Sequence, residues 1–161
     1  MKLLLRWEKE SERKNKRDIQ RVCTIKIQPL TKNKMMQDII KKFKFKDCGI
    51  VLNSPTLLEA EFVKLGFKTT FDKKDKSTNT LVFINDQMEY LDFLKNKLKN
   101  IETDSVLWFA YPKGTSKVKT DINRDTIRIT GEEFGIRTVT AISIDDTWSA
   151  LRFRPIDKVG K

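Results

Sequence analysis

The sequence predicts an α/β fold: a Rossmann-like, mostly parallel sheet with helices on both faces and a C-terminal antiparallel hairpin. Short unbroken apolar runs, which are typical of strands covered on both faces, occur at 49–53, 80–85 and 106–111. Segments with apolar residues at helical spacing separate these runs. Two further strand patterns near the C-terminus are separated by three polar residues, and this short connection favours an antiparallel hairpin.

The first half of the chain contains two predicted helices around the first strand. Four apolar residues at helical spacing predict the first helix: Met36, Ile39, Ile40 and Phe43. After the strand at 49–53, Ser54 and Pro55 predict the cap and the first residue of a second helix, which Gly66 ends. Its predicted buried stripe is Leu58, Phe62 and Leu65. A weaker strand is predicted at 67–72, and a polar loop at 73–79.

The second half continues the alternation of strands and helices. Asp86, with Glu89 three residues later, predicts a capped helix after the strand at 80–85. The apolar face of this helix is predicted to be Met88, Leu91, Leu94, Leu98 and Ile101. The strand at 106–111 is followed by a predicted helix over 124–134. The hairpin strands are predicted at 139–144 and 148–154.

Composition limits the functional classes. The 161 residues are 39% hydrophobic and suffice for one domain, and no apolar run approaches the roughly 20 residues of a membrane span. The chain has no histidine, which excludes Ser-His-Asp triads and zinc sites built on histidine. Of the net charge of +11, residues 1–34 carry +7, from 11 Lys and Arg against 4 Asp and Glu. We therefore predict a basic extension at 1–34, disordered or helical, and a single α/β domain at 35–161.

Ligands of open α/β sheets bind beyond the carboxyl ends of the strands. The polar residues expected at that edge form the candidate ligand-binding set: Asn53, Ser54, Tyr111, Lys113, Ser116, Lys117, Asp121, Asn123, Asp146 and Trp148. The loop after the first strand contains no glycine, whereas a nucleotide or S-adenosylmethionine cradle is expected to contain several. This difference argues against a standard cofactor site there.

The segment Lys113–Arg124 is the most suggestive loop. Its four cations, its hydroxyls and its single glycine suit an anion such as phosphate, although the spacing is not that of a P-loop. The alternative is a solvated loop that ends in a helix cap. Asp145, Asp146 and Trp148 likewise have two interpretations. They form either a carboxylate pair beside a stacking ring, or turn residues followed by a core tryptophan.

Five motifs in this chain resemble one bacterial family. They are Leu52-Asn53-Ser54-Pro55, Leu107–Lys113, Thr115-Ser116-Lys117, Thr120–Asn123 and Asp145–Leu151. From Met35 to Arg154 the chain resembles the domain-of-unknown-function family numbered thirty fifty-two, which tends to carry Asn-Ala-Pro where this chain has Asn53-Ser54-Pro55. The resemblance implies a small Rossmann-like domain and no assigned activity. The terminal hairpin on a parallel sheet is also similar to the core of class I methyltransferases, as an analogy of topology.

The leading functional prediction is a non-catalytic cytosolic binding or regulatory domain. We expect a phosphorylated small molecule or a protein as its partner, and no catalytic residues, metal, cofactor or membrane contact. One alternative is a degenerate methyltransferase-like enzyme, with Asp72 and Asp86 lining a cofactor cleft. The other is nucleic-acid binding through the basic N-terminal arm, with an affinity that falls steeply with salt.

Overall fold

The structure, a computed structural model, describes residues 31–161 and their side chains from Lys34 onward. Most of the predicted basic extension, including the arm proposed for nucleic acid, lies outside the described residues. The elements in chain order are α1 (Thr31–Phe43), β1 (Ile50–Leu52), α2 (Thr56–Lys64), β2 (Ser77–Phe83), α3 (Gln87–Asp92, continued by a π-helical turn at Phe93–Lys97 and a 3-10 turn at Leu98–Asn100), β3 (Ile101–Pro112), α4 (Arg124–Glu133), β4 (Ile136–Ser143), β5 (Trp148–Pro155) and a 3-10 turn (Ile156–Lys158).

The five strands form one mixed sheet in the order β1-β2-β3-β5-β4. The first three strands are parallel, β5 is antiparallel to β3, and β4 and β5 form an antiparallel hairpin. The predicted fold class is therefore confirmed. No helix within the described residues has the length and apolar character needed to cross a membrane.

Each face of the sheet carries its own hydrophobic core. Successive side chains of β3 alternate between the two cores, as expected for a strand covered on both sides: Val106, Trp108 and Ala110 belong to one, and Leu107 and Phe109 to the other. The first core is covered by α1 through Met36, Ile39 and Phe43, and by α2 through Phe62. The second is covered by Tyr90, Phe93, Leu94 and Ile127. Helices thus pack on both faces, as predicted.

The predicted apolar face of the third helix is partly wrong. Met88 is 80% exposed, and Tyr90 and Phe93 are buried. The buried residues Tyr90, Phe93 and Leu94 follow the i, i+3, i+4 spacing of an ordinary helix face, and Met88, two residues before Tyr90, falls on the opposite side. Ile101, also assigned to that face, begins β3 instead.

Two predictions near β1 are also corrected. Ser54 does not cap α2, because Pro55 occupies the cap position and no side-chain hydrogen bond from the described residues caps that end. The strand predicted at 67–72 is reduced to one parallel bridge, in which Lys68 pairs with Ile50. The polar loop predicted at 73–79 is shorter, since β2 begins at Ser77.

Tyr90 makes the stability of the fold dependent on pH. Its hydroxyl donates to the carbonyl of Ile127 at 3.0 Å, and burial raises the pKa of Tyr90 far above its usual value. The unfolded chain releases this proton above about pH 10 while the folded chain keeps it, so stability falls as pH rises through that range. We expect the free energy of unfolding to lose about 1.4 kcal/mol per pH unit from this group. Urea denaturation between pH 8 and 11.5 measures the slope. Tyr90→Phe is the control that lacks the contribution, and equal slopes in both proteins would contradict it.

Candidate functional site

The loop after β3 and the turn before β5 meet at the carboxyl edge of the sheet. Pro112 pairs with Trp148, and the backbone N–H of Lys113 donates to the carbonyl of Thr147 at 2.7 Å. The loop that begins at Lys113 and the turn at Asp145 and Asp146 therefore meet at the edge where the candidate ligand-binding residues are expected. Candidate residues from both segments lie side by side here.

Most polar groups of the hairpin turn have structural partners. The Lys113 amine donates to the Ser143 hydroxyl at 2.8 Å and to the Asp145 carbonyl at 2.5 Å. The Asp145 carboxylate accepts from the backbone N–H groups of Thr147 and Trp148 at 2.8 and 2.7 Å. These contacts match the structural interpretation of Lys113 and Asp145 as residues that stabilise the turn.

The other two candidates of the turn differ in exposure. Trp148 is only 7% exposed, and its ring packs edge-on against Phe83 with the centroids 5.0 Å apart. The indole therefore belongs to the core on the α1 and α2 face, as in the second of the two interpretations, and does not offer a free stacking surface. The side chain of Asp146 points to solvent.

The segment Lys113–Arg124 folds across the carboxyl ends of β3 and β2. The Thr120 hydroxyl donates to the carbonyl of Asn85 at 2.6 Å, and the Asp121 carboxylate accepts from the backbone N–H of Gln87 at 2.8 Å. Asn123 caps α4 in a reciprocal capping box with Thr126. Hydrogen bonds therefore hold this loop against the start of α3, and its last residue before α4, Asn123, caps that helix.

At the start of α3, carboxylates of this chain already accept the available N–H groups. Asp86 accepts from the backbone N–H of Glu89 at 2.8 Å, and Glu89 accepts from the backbone N–H and side-chain amide of Asn85 at 2.8 and 3.1 Å. Together with Asp121, these groups take up donors that an external anion would need, and they add negative charge. The geometry thus disfavours phosphate next to Asp121. The exposed Lys117 and the half-buried Ser116 remain on the outer part of the loop.

A different point of the same edge has the strand topology of a ligand site. Lys68 bridges β1 on the side opposite β2, through hydrogen bonds from Val51 N–H to Lys68 O at 2.8 Å and from Lys68 N–H to Gly49 O at 3.0 Å. The chain therefore passes from one side of β1 to the other between Lys68 and β2. The end of β1 is a topological switch point, where open α/β sheets bind ligands.

The loop at this switch point contains polar groups with open hydrogen-bonding capacity. Asn53 has φ 56°, the left-handed region that glycine favours, and its side chain is exposed. The Ser54 hydroxyl oxygen is buried and has no hydrogen-bond partner among residues 34–161. Asp72, which was expected to line a cofactor cleft, pairs with the Lys68 amine at 2.8 Å but lies in a pocket with Gly49 and Ser77, at the starts of β1 and β2 and so toward the opposite edge.

The switch point was missed by the sequence reasoning, although the weak strand predicted at 67–72 lies where the bridge forms. Sequence reasoning did place Asn53 and Ser54 in the candidate set.

Tyr111 lies further along the edge, half-buried, and burial is the main cause that raises its pKa. In the part of the chain that the structure describes, no group of three His, Cys, Asp or Glu residues is arranged to hold a metal.

Known proteins resemble this chain in fold and not in sequence. No protein-family model and no curated protein matches the sequence, so the family numbered thirty fifty-two is not confirmed. Among solved structures, the ribosomal protein L11 methylase of Lactobacillus delbrueckii subsp. bulgaricus is similar, at 11% identity and a TM-score of 0.46, with 76% of this chain and 79% of that chain covered. The complex of LepI with SAM is similar at 10% identity and a TM-score of 0.44, and a pericyclic reaction enzyme at 10% and 0.42. Each of these two alignments covers 75% of this chain and 40% of the other chain.

Proposed function

We propose that this chain is a methyltransferase-like domain that binds S-adenosylmethionine, or a similar adenosine-containing ligand, at the carboxyl end of β1. The observation that carries the proposal is the topological switch point beside β1, formed by the Lys68 bridge on one side and β2 on the other. In open α/β sheets such a point leaves a crevice between loops that leave in opposite directions. The candidate residues Asn53 and Ser54 lie on the loop that borders it.

The residues present fit the polar parts of such a ligand. The Ser54 hydroxyl has an unused donor and acceptor, and the exposed Asn53 amide adds two donors and an acceptor. Asp86, on the loop after β2, supplies a carboxylate for ribose hydroxyls, since the bond from the backbone N–H of Glu89 uses only part of its accepting capacity. The left-handed φ of Asn53 supports a turn of the kind that glycine otherwise makes. Pro55 removes one backbone donor, so side chains take a larger share of the binding than in a glycine-rich cradle.

The proposed activity is binding. S-adenosylmethionine carries an activated methyl group, and the residues of this chain would hold and orient the molecule that carries it. The alternative anion site on the loop 113–124 is less well supported, because Lys113 is used by the hairpin turn and Asp121 by the start of α3.

Isothermal titration of the full chain with S-adenosylmethionine tests the site, with two matched serine variants. Ser54 and Ser116 both have a buried hydroxyl oxygen without a partner in the described region, and they lie on different loops of the same edge. Neither alanine variant removes a hydrogen bond seen among residues 34–161, so both should stay folded. We expect Ser54→Ala to weaken binding roughly tenfold, the effect of one lost hydrogen bond, and Ser116→Ala to leave it unchanged.

Two results would argue against this location. If the wild-type chain does not bind S-adenosylmethionine at millimolar concentration, this molecule is excluded as the ligand. A loss of binding in Ser116→Ala but not in Ser54→Ala would move the site to the loop 113–124. A parallel titration with inorganic phosphate, using Lys117→Ala as the variant, tests the anion prediction for that loop directly.

A further inference from the structure

Two lysine-rich segments lie next to each other at the amino ends of β2 and β3. One is the loop that leads into β2, and the other is the C-terminal end of α3, which leads into β3. Ser77 pairs with Ile101, so the residues that precede these two strands are neighbours. The ring of Phe71 also contacts that of Phe93, at a centroid distance of 6.3 Å. The lysines of the two segments therefore share one surface, which we call the lysine face: Lys73, Lys74, Lys76, Lys95, Lys97 and Lys99.

The lysine face accounts for the whole net charge of the predicted α/β domain. Residues 35–161 contain 22 Lys and Arg against 18 Asp and Glu, a net charge of +4. The segments 73–76 and 92–99 contain the six lysines against Asp75 and Asp92, which also gives +4. The charges of all other residues in the domain therefore sum to zero.

The surroundings of the lysine face carry charges that are already balanced. On one side, the Lys68 amine pairs with Asp72 at 2.8 Å. On the other side, Arg154 pairs with Asp104 at 2.8 Å, and Glu102 adds a negative charge at the start of β3. The excess of positive charge is therefore confined to the loop before β2 and the end of α3.

Five of the six ammonium groups have no counterion from the described chain. Lys97 pairs with Asp92 at 3.5 Å. Among residues 34–161, no carboxylate forms an ion pair with any of the other five lysines. All five side chains are exposed. Each can donate up to three hydrogen bonds to an external anion, and a polyanion would neutralise several of them at once.

The chemistry of the lysine face suits an extended polyanion better than a membrane. An ammonium group is a compact point charge that contacts phosphate without reading the pattern of base edges. Peripheral membrane surfaces combine such charges with apolar side chains that enter the lipid. None of the exposed large apolar side chains of the described residues lies in the segments 71–76 or 92–99. The lysine face therefore offers charge without an apolar anchor.

We propose that the lysine face binds the phosphate backbone of a nucleic acid, without preference for base sequence. The ammonium groups donate to phosphate oxygens of successive nucleotides and displace the counterions condensed on them. The face lies at the opposite edge of the sheet from the carboxyl end of β1, so this binding does not depend on the proposed S-adenosylmethionine site. It also differs from the binding predicted for the basic extension at 1–34, because it requires charges on the folded domain.

Fluorescence anisotropy of a labelled single-stranded RNA, titrated with the full chain at several KCl concentrations, tests the proposal. Two double variants remove exposed charges from the face: Lys73→Gln with Lys74→Gln, and Lys95→Gln with Lys99→Gln. We expect each to weaken RNA binding roughly tenfold at about 100 mM KCl. Each should also reduce the slope of the logarithm of the binding constant against the logarithm of the salt concentration by about 1.4, which is 0.7 per lost phosphate contact. The replaced side chains are exposed, so both proteins should keep the circular dichroism spectrum of the wild type.

Lys34→Gln with Lys119→Gln is the matched control. Both lysines are exposed, and neither forms an ion pair within the region that the structure describes. Lys119 lies on the loop across the carboxyl ends of the strands, and Lys34 lines a groove with Ile144. The control loses the same two charges, so attraction by net charge alone, or by the basic extension, would weaken all three variants alike. We expect its RNA binding to stay close to that of the wild type, and S-adenosylmethionine titrations to be the same in all four proteins.

Three results would overturn the proposal. The first is a wild-type chain that does not bind the RNA at low salt. The second is a control variant that weakens binding as much as both lysine-face variants do. The third comes from sedimentation with vesicles of phosphatidylserine and phosphatidylcholine, which we expect the chain not to bind. Vesicle binding that the lysine-face variants lose, with RNA binding unchanged, would assign the face to a membrane.

Discussion

Replacement of Trp108 by alanine is expected to lower the free energy of unfolding by about 3–5 kcal/mol, the range for truncating a buried tryptophan. Trp108 lies in the central strand β3 and is 1% exposed. Its ring packs edge-on against Phe43 at a centroid distance of 5.3 Å, and its Nε1 donates to the carbonyl of Phe43 at 3.0 Å. The side chain therefore joins the end of α1 to the middle of the sheet. Urea denaturation followed by circular dichroism measures the loss.

Trp108→Phe separates packing from the hydrogen bond. It keeps an aromatic ring in the core but leaves the buried Phe43 carbonyl without its donor, so we expect a smaller loss of about 1–3 kcal/mol. If Trp108→Ala costs no more than Trp108→Phe, the packing of α1 against β3 contributes little. The described position of α1 on the sheet would then be wrong.

The parts of the fold that the sequence predicts are those set by local patterns. The runs that became β1, β2 and the second half of β3 are unbroken and apolar because each strand is covered on both faces. The hairpin follows from three polar residues between two alternating patterns. Asp86 is predicted as a helix cap, and it accepts the backbone N–H of Glu89 at the start of α3.

The failures come from structure that local patterns do not encode. Tyr90 and Phe93 face the sheet where Met88 was expected to, and the bulge at 102–105 takes four residues of β3 out of the ladder; tertiary packing decides both. The bridge at Lys68 involves one residue and therefore gives no periodic signal. It nevertheless determines where the switch point lies.

The sequence likewise predicts only part of the candidate site. The sequence predicts that the loop after β3 meets the turn before β5, because strand order fixes it. It does not predict what each side chain does there, since the partners are far apart in the chain. Lys113 bonds to Ser143, which is 30 residues away in the chain, and Thr120 bonds to Asn85, which is 35 residues away. Residue type alone suggested an anion site in this loop, whereas the geometry gives Lys113 and Asp121 structural roles.

Replacement of Gly131 by alanine is expected to destabilise the protein by about 1–3 kcal/mol, the range for overpacking a core. In an exposed helix interior the same substitution stabilises by up to about 1 kcal/mol, because alanine has the higher helix propensity. Gly131 lies in α4, where an added Cβ would be 2.6 Å from Cε1 of Phe153 and 2.9 Å from the hydroxyl oxygen of Tyr90. Tyr90 cannot withdraw without losing its hydrogen bond to Ile127.

Gly114→Ala is the control for the steric cost of an added Cβ at Gly131. Gly114 lies on the exposed loop after β3, and no described atom lies within 4 Å of an added Cβ, so the change should stay within about 0.5 kcal/mol. Urea denaturation of the three proteins gives both differences. A Gly131→Ala protein as stable as the wild type, or more stable, would show that α4 lies further from the sheet than described. It would also remove the steric reason for glycine at this position.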